Sequence, residues 1–277
     1  MLLLGCNPKT LKEIPKSTKK KGKIIPMKAD GIAAGAETAA AEKAKKNKKI
    51  ARIVTPILCL CIAAVIVVTQ VVLPKQKYDK VEVGDTINFG AYEQDDDISN
   101  GKEIIEWIVL AKQNNRLFVI SRYAIDAQPY NAEQTEATWE TCSLRRWLNT
   151  DFFDSAFSNR EKAMIPAVTV SAEKNPEYET ADPGEDTQDK IFLLSISETN
   201  ALFNKDILMG CAPTAYAVAQ GAYCADNGNT WWWLRFPGYF DVPRAAGGTY
   251  DGGVSYIGNA LYISSSVRPA MWIDLSN

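Results

Sequence analysis

Glu140, Asp226, Asp241 and Asp251 are the carboxylates in this chain whose chemistry could be used in pairs. Two acids flanking a glycosidic bond suffice for its hydrolysis, one protonating the leaving oxygen and the other acting as base or nucleophile. Any catalysis would have to run on carboxylates, Lys, Tyr or Cys, because the 277 residues include no histidine. A Ser-His-Asp or Cys-His relay, a His-ligated zinc and an imidazole base are therefore excluded. No motif surrounds any two of these acids. A carboxylate-dependent, glycosidase-like hydrolase acting on cell-envelope or external polysaccharide is thus the alternative reading, and a non-enzymatic role is preferred.

The aromatic tail offers the other chemistry. Trp231, Trp232 and Trp233 alternate across a predicted strand, so at least one indole should face outward beside Tyr250, Tyr256 and Tyr262. Exposed rings with a few polar partners suit a sugar or a peptide. The candidate ligand-binding set is Trp231, Trp232, Trp233, Arg235, Tyr250, Asp251, Asn259 and Arg268. The competing reading puts the tryptophans in the core and pairs Arg235 and Arg268 with buried acids.

Two further clusters invite chemistry. In Glu93-Gln94-Asp95-Asp96-Asp97, the residues Asp95, Asp97, Ser99 and Glu106 fall at positions 1, 3, 5 and 12 of a calcium loop. The glycine is displaced by one, however, and Glu106 sits in an apparent strand, so a solvated hairpin tip is expected and no metal is assigned. No cofactor is assigned either. Cys211 and Cys224 close a short loop and are the candidate disulfide, with buried thiols at Cys142, Cys211 and Cys224 as the alternative.

The elements that must position these groups divide sharply by charge. The net charge of −2 conceals a balance of +10 over residues 1–52 and −12 over residues 74–277. Between them Ile53–Leu73 carries no charge, which predicts a helix long enough to cross a bilayer. Lysines precede it closely, so the positive-inside bias puts the N-terminus in the cytoplasm and the C-terminal domain outside, on an uncleaved signal anchor. Pro56 is expected in the first turn of that span. Residues 1–49 read as a disordered Lys-rich cytoplasmic arm, whose Ala- and Lys-rich part Gly31–Lys49 has good helix-forming composition running into the span, 50–74 as the anchor and 78–277 as an extracytoplasmic domain. The lysines serve topology, with contact to anionic lipid head groups as a second reading. Nucleic acid is not expected, because no aromatic residues interleave the basic ones.

The C-terminal domain opens with strand signals at Lys80–Phe89, Ile104–Leu110 and Leu117–Tyr123, with turns at Asn100-Gly101 and Asn114-Asn115. Helices follow at Thr141–Leu148, at Asn159–Ile165 behind the box Ser158-x-x-Glu161, behind Ser195-x-x-Glu198, and at Pro213–Gln220. Two hairpins, Trp231–Phe236 into Ala245–Tyr250 and Val254–Ile257 into Leu261–Ile263, lead to a last strand Val267–Ile273. Strands at both ends with short helices between them predict an α+β fold of antiparallel strands.

In Trp231–Gly238 (WWWLRFPG), Asp251-Gly252-Gly253-Val254 and Val267–Trp272 (VRPAMW), the chain resembles the bacterial family known as domain of unknown function 6273. Val83-Gly84-Asp85, Phe89–Asp95 and Thr138–Arg145 match its earlier motifs, and the likeness covers about Val81–Asp274. Phe236 departs from it where the family usually carries Ser. That family's order of elements is similar to the C-type-lectin-like fold of formylglycine-generating enzymes and variable receptor proteins. The resemblance implies such a scaffold without implying the copper oxidase chemistry, since the paired cysteines have no counterpart here. The combined expectation is a membrane-anchored module at the cell surface that binds a glycan, a peptide or a protein partner.

Overall fold

In the computed structural model, which describes residues 30–67, 78, 80–178, 181–204, 209–239, 244–261 and 263–276, helix α1 runs Asp30–Val67. Alanine and lysine, both strong helix formers, dominate its first half, so residues 30–49, counted with the disordered arm, are helical as the composition of Gly31–Lys49 implies. Pro56 consequently lies in the interior of a 38-residue helix and removes one backbone hydrogen bond there. The membrane span also requires correction. The uncharged part of α1 among the described residues is Ile53–Val67, roughly 22 Å at the α-helical rise, against about 30 Å of hydrocarbon. Among the described residues no helix is long and apolar enough to cross a membrane. Residues 68–73 of the expected span lie outside the described residues, as do residues 1–29.

The chain divides at Val65/Ile66 into two units, and the second contains every strand. Strands β1 (Thr86–Tyr92), β2 (Glu103–Gln113) and β3 (Arg116–Ser121) form an antiparallel meander. Asn114, at φ 53°, supplies the left-handed residue of the β2–β3 turn. The β1–β2 loop turns at Asp96 (φ 67°) and Gly101 (φ 102°), and Asn100 does not adopt positive φ. Strand β4 (Asp126–Pro129) was not anticipated. It precedes a helical stretch of α2 (Ser143–Trp147), a π turn (Leu148–Phe152) and α3 (Phe153–Ala156).

Helix α4 (Asn159–Met164) opens on the expected capping box of Ser158 and Glu161. Two short strands, β5 (Val168–Val170) and β6 (Thr187–Asp189), pair across what reads as a polar loop. After β7 (Ile191–Phe192), the second box, Ser195 and Glu198, starts α5 (Ile196–Leu202). Thr214 caps α6 (Ala215–Ala219). The tail is β8 (Trp232–Pro237), β9 (Arg244–Gly248), β10 (Val254–Ala260), β11 (Ser264–Val267) and β12 (Ala270–Asp274).

These strands make two five-stranded sheets, β1-β2-β3-β12-β7 and β10-β9-β8-β11-β4, and every pairing but β8 with β11 is antiparallel. The α+β expectation holds. The expected final strand is broken in two at Arg268-Pro269, because Pro has no N–H to continue a ladder. The chain uses that break to pass from the second sheet to the first. Leu261 and Ile263 belong to no strand, and β10 pairs back onto β9 instead.

One core joins both sheets, with Trp107, Trp232 and Trp233 among its largest members. Trp107 Nε1 donates to the Phe89 carbonyl at 2.7 Å and Trp233 Nε1 to that of Gln128 at 2.8 Å. The small residues of β9 make room for the indoles. A Cβ on Gly248 would lie 2.3 Å from Trp232 Cε2. Gly258, at φ +70°, sits where the β9–β10 register shifts, and a Cβ there would lie 1.9 Å from the Ala245 carbonyl oxygen.

Candidate functional site

Of the eight residues nominated from the sequence, the structure brings three together. Trp231 immediately precedes β8 and is half-buried, with its ring 5.6 Å from that of Tyr250 in an edge arrangement. Tyr250 occupies the turn between β9 and β10, is 37% exposed, and meets Tyr223 from the other side at 6.4 Å. Asp251 follows it in the same turn. The three rings form a step beside a groove of about 540 Å³, which is lined by Thr199, Asn200, Phe203, Asn204, Met209, Gly210, Asn227, Asn229, Tyr250, Asp251 and Gly252.

Local backbone chemistry fixes this turn. Thr249 N donates to the Gly253 carbonyl at 2.9 Å, and Gly253 N returns a bond to the Thr249 hydroxyl at 2.8 Å. Asn227 Nδ2 and Asn229 Nδ2 both donate to the Tyr250 carbonyl, at 2.9 and 3.0 Å. Tyr250 is thus held by its backbone while its ring remains free to meet a ligand. Gly210 permits the approach of Asn229, whose Nδ2 would lie 2.8 Å from a Cβ at that position. The hydroxyl of Thr249 donates to Asp251 and holds its carboxyl below the usual range, so it is ionised at neutral pH.

The other nominees are placed differently. Trp232 and Trp233 are fully buried and present no face to solvent. Arg235 is buried too. Its Nη1 donates to Glu198 at 2.5 Å and to the Leu193 carbonyl at 2.8 Å, which ties β8 to the cap of α5. Arg268 makes no ion pair among the described residues. It donates to the carbonyls of Ser121 (3.0 Å) and Met209 (2.7 Å), with its guanidinium over the rings of Phe203 and Trp232 at 5.3 and 5.1 Å. Burial pulls its pKa down. Asn259 is half-buried in β10, opposite Ala245 and away from the groove lining. Tyr262 and Asp241 lie outside the described residues.

Of the acids considered for hydrolysis, Asp226 is exposed beside Asn227 of the groove lining. Asp251 lines the aromatic groove, whereas Glu140 lines a separate cleft of about 590 Å³ with Glu136, Asp182, Glu185 and Arg244. The candidate disulfide is corrected: Cys211 and Cys224 are both free thiols, the first buried and the second exposed. Cys142 is buried and free, its thiol pushed up to about 12 by burial, and it serves as the N-cap of α2 by accepting from Arg145 N. Sequence reading missed Tyr223 and the carboxamides Asn200, Asn204, Asn227 and Asn229. The turn signal Asn227-Gly228-Asn229, with Gly228 at φ +81°, was the available cue.

Neither the curated proteins nor the solved structures include a match to this chain, and the lectin-like likeness gains no support from them. The family described as Domain of unknown function (DUF6273) matches residues 114–275, from the β2–β3 turn to the end of β12 and beginning later than the Val81 expected. This span is more than half of the chain and includes the whole aromatic groove, and the chain belongs to that family.

Proposed function

We propose that the β-rich unit is a binding module whose groove beside Tyr250 takes a glycan. The observation that carries this reading is the aromatic step of Trp231, Tyr250 and Tyr223 flanked by Asn200, Asn204, Asn227, Asn229 and Asp251. Ring faces cover the C–H surface of a pyranose, while carboxamides and one ionised carboxylate exchange hydrogen bonds with its hydroxyls. Such a site needs rigid rings and a wet, polar rim, and the turn bonds around Tyr250 supply the rigidity. Glu140 and Asp251 line different clefts, so that pair does not flank one bond as the two carboxyls of a glycosidase must, within about 10 Å of each other.

The test is an array of glycans and peptidoglycan fragments probed with the full chain and with Tyr250→Ala. Retained binding by the wild type and loss in the variant supports the reading. Hydrolysis of any bound glycan, or binding unaffected by Tyr250→Ala, overturns it.

A further inference from the structure

The β1–β2 hairpin brings three carboxylates together away from the aromatic groove. Glu93 directly follows β1, Glu103 begins β2 and Asp95 lies in the loop between them. One carboxylate oxygen from each falls within 4.8 Å of the others. Glu93 is only 8% exposed, and its Oε1 is enclosed without a hydrogen-bond partner. No ion pair among the described residues neutralises the three. Lys102, the nearest basic residue in sequence, donates instead to the Ser155 carbonyl at 2.6 Å. A buried carboxylate oxygen with neither donor nor cation is costly in a folded protein. Burial, then the charge of Glu103, then a hydrogen bond with Asp95 and its charge push the Glu93 carboxyl above its ordinary range, against a bond from the Asp96 backbone.

The neighbouring bonds orient the cluster without filling it. Glu103 Oε2 accepts from Gln94 N at 2.7 Å. Asp95 accepts from Asp97 N at 2.9 Å and from Asn100 Nδ2 at 2.8 Å. These are the bonds that hold metal-binding carboxylates in place. Calcium takes oxygen ligands at about 2.3–2.6 Å, so donors across one ion stand roughly 5 Å apart and the observed spacing fits within a single shell.

We infer that Glu93, Asp95 and Glu103 form a calcium site that pins the β1–β2 hairpin, with water completing the coordination. The site precedes the family-matched span.

The full chain, freed of divalent ions by chelator, is titrated with calcium chloride and separately with magnesium chloride, by calorimetry and by thermal unfolding. Calcium should saturate one site and raise Tm, on the order of 5–10 °C at a concentration a hundredfold above Kd. Glu93→Gln should abolish this response while unfolding in chelator no earlier than the wild type, because a buried charge has been removed. Glu103→Gln serves as the second variant and should weaken binding. Absence of calcium heat and of any Tm shift up to 10 mM overturns the inference, as does a full response in Glu93→Gln or a response to magnesium alone.

Discussion

Truncating Tyr250 and Trp232 to Ala separates a recognition surface from a core within one sheet. Trp232 is fully buried against Gly248, with the Arg268 guanidinium over its ring at 5.1 Å. Its loss removes transfer energy and leaves a cavity, about 3–5 kcal/mol. At roughly 2–4 °C per kcal/mol for a domain of this size, Tm should fall by about 6–20 °C. Tyr250 is 37% exposed and contributes its backbone carbonyl, not its hydroxyl, to the turn network. Both Asn bonds survive the substitution, and the partial ring burial is worth about 1–2 kcal/mol. Binding should respond in the opposite order, since a lost aromatic anchor typically costs 2 kcal/mol or more, about 30-fold in Kd. Thermal unfolding and calorimetric titration with a glycan from the array measure both quantities on the same proteins. Equal destabilisation by the two variants, or undiminished binding by Tyr250→Ala, would show that the aromatic step is packing and nothing more.

Arg268→Ala should lower stability by about 3–5 kcal/mol, because it opens a cavity and strips the Ser121 and Met209 carbonyls of a donor; urea unfolding reads this directly. Gly248→Ala should cost about 1–3 kcal/mol through the clash with Trp232, measured the same way. In native protein a maleimide should label Cys224 in the β-rich unit while Cys142 and Cys211 react only after denaturation, as mass spectrometry of the digested chain would reveal. Burial raises the Asp126 carboxyl above its unfolded value, so its favourable contribution is complete below about pH 4 and is lost as pH rises through the folded value. Asp126→Asn should therefore gain on the wild type between pH 4 and pH 8 in urea titrations, and a difference independent of pH would refute this.

How much was legible depended on the range of the interactions involved. Both capping boxes, Ser158/Glu161 and Ser195/Glu198, came straight from the sequence because a cap closes within three residues. The alternation in Ile104–Leu110 likewise marked β2. Strand β4 escaped because Asp126–Pro129 carries no β-branched run, and it exists only through pairing with β11, far along the chain. The same range limit governed the site. Trp231, Trp232 and Trp233 look equivalent in sequence, and alternation alone predicts that Trp231 and Trp233 share a face. In the structure β8 lies between β9 and β11 and its residues are buried, so Trp232 and Trp233 go into the core together, while Trp231, just before the strand, is half-buried and meets the ring of Tyr250 beside the groove. Asn200 could not be nominated, since it lies far from the tryptophans in sequence.

The acidic hairpin shows the same limit in reverse. A calcium-loop template counts along the chain and therefore selects Asp95, Asp97, Ser99 and Glu106. In the fold Glu106 points to Arg122, at 2.9 Å, and Asp97 turns its carboxylate onto Ser99 of its own loop. What the hairpin does bring together is set by the ladder, in which Tyr92 faces Glu103. Glu93 is one step beyond that pair, so its carboxylate meets that of Glu103 across the mouth of the hairpin, ten residues away in sequence. A strand pairing had to be known before those two acids could be seen as neighbours. Once it is known, three carboxylates within 4.8 Å of one another, one of them buried, offer a cation a site that the same residues, spaced along an open loop, do not.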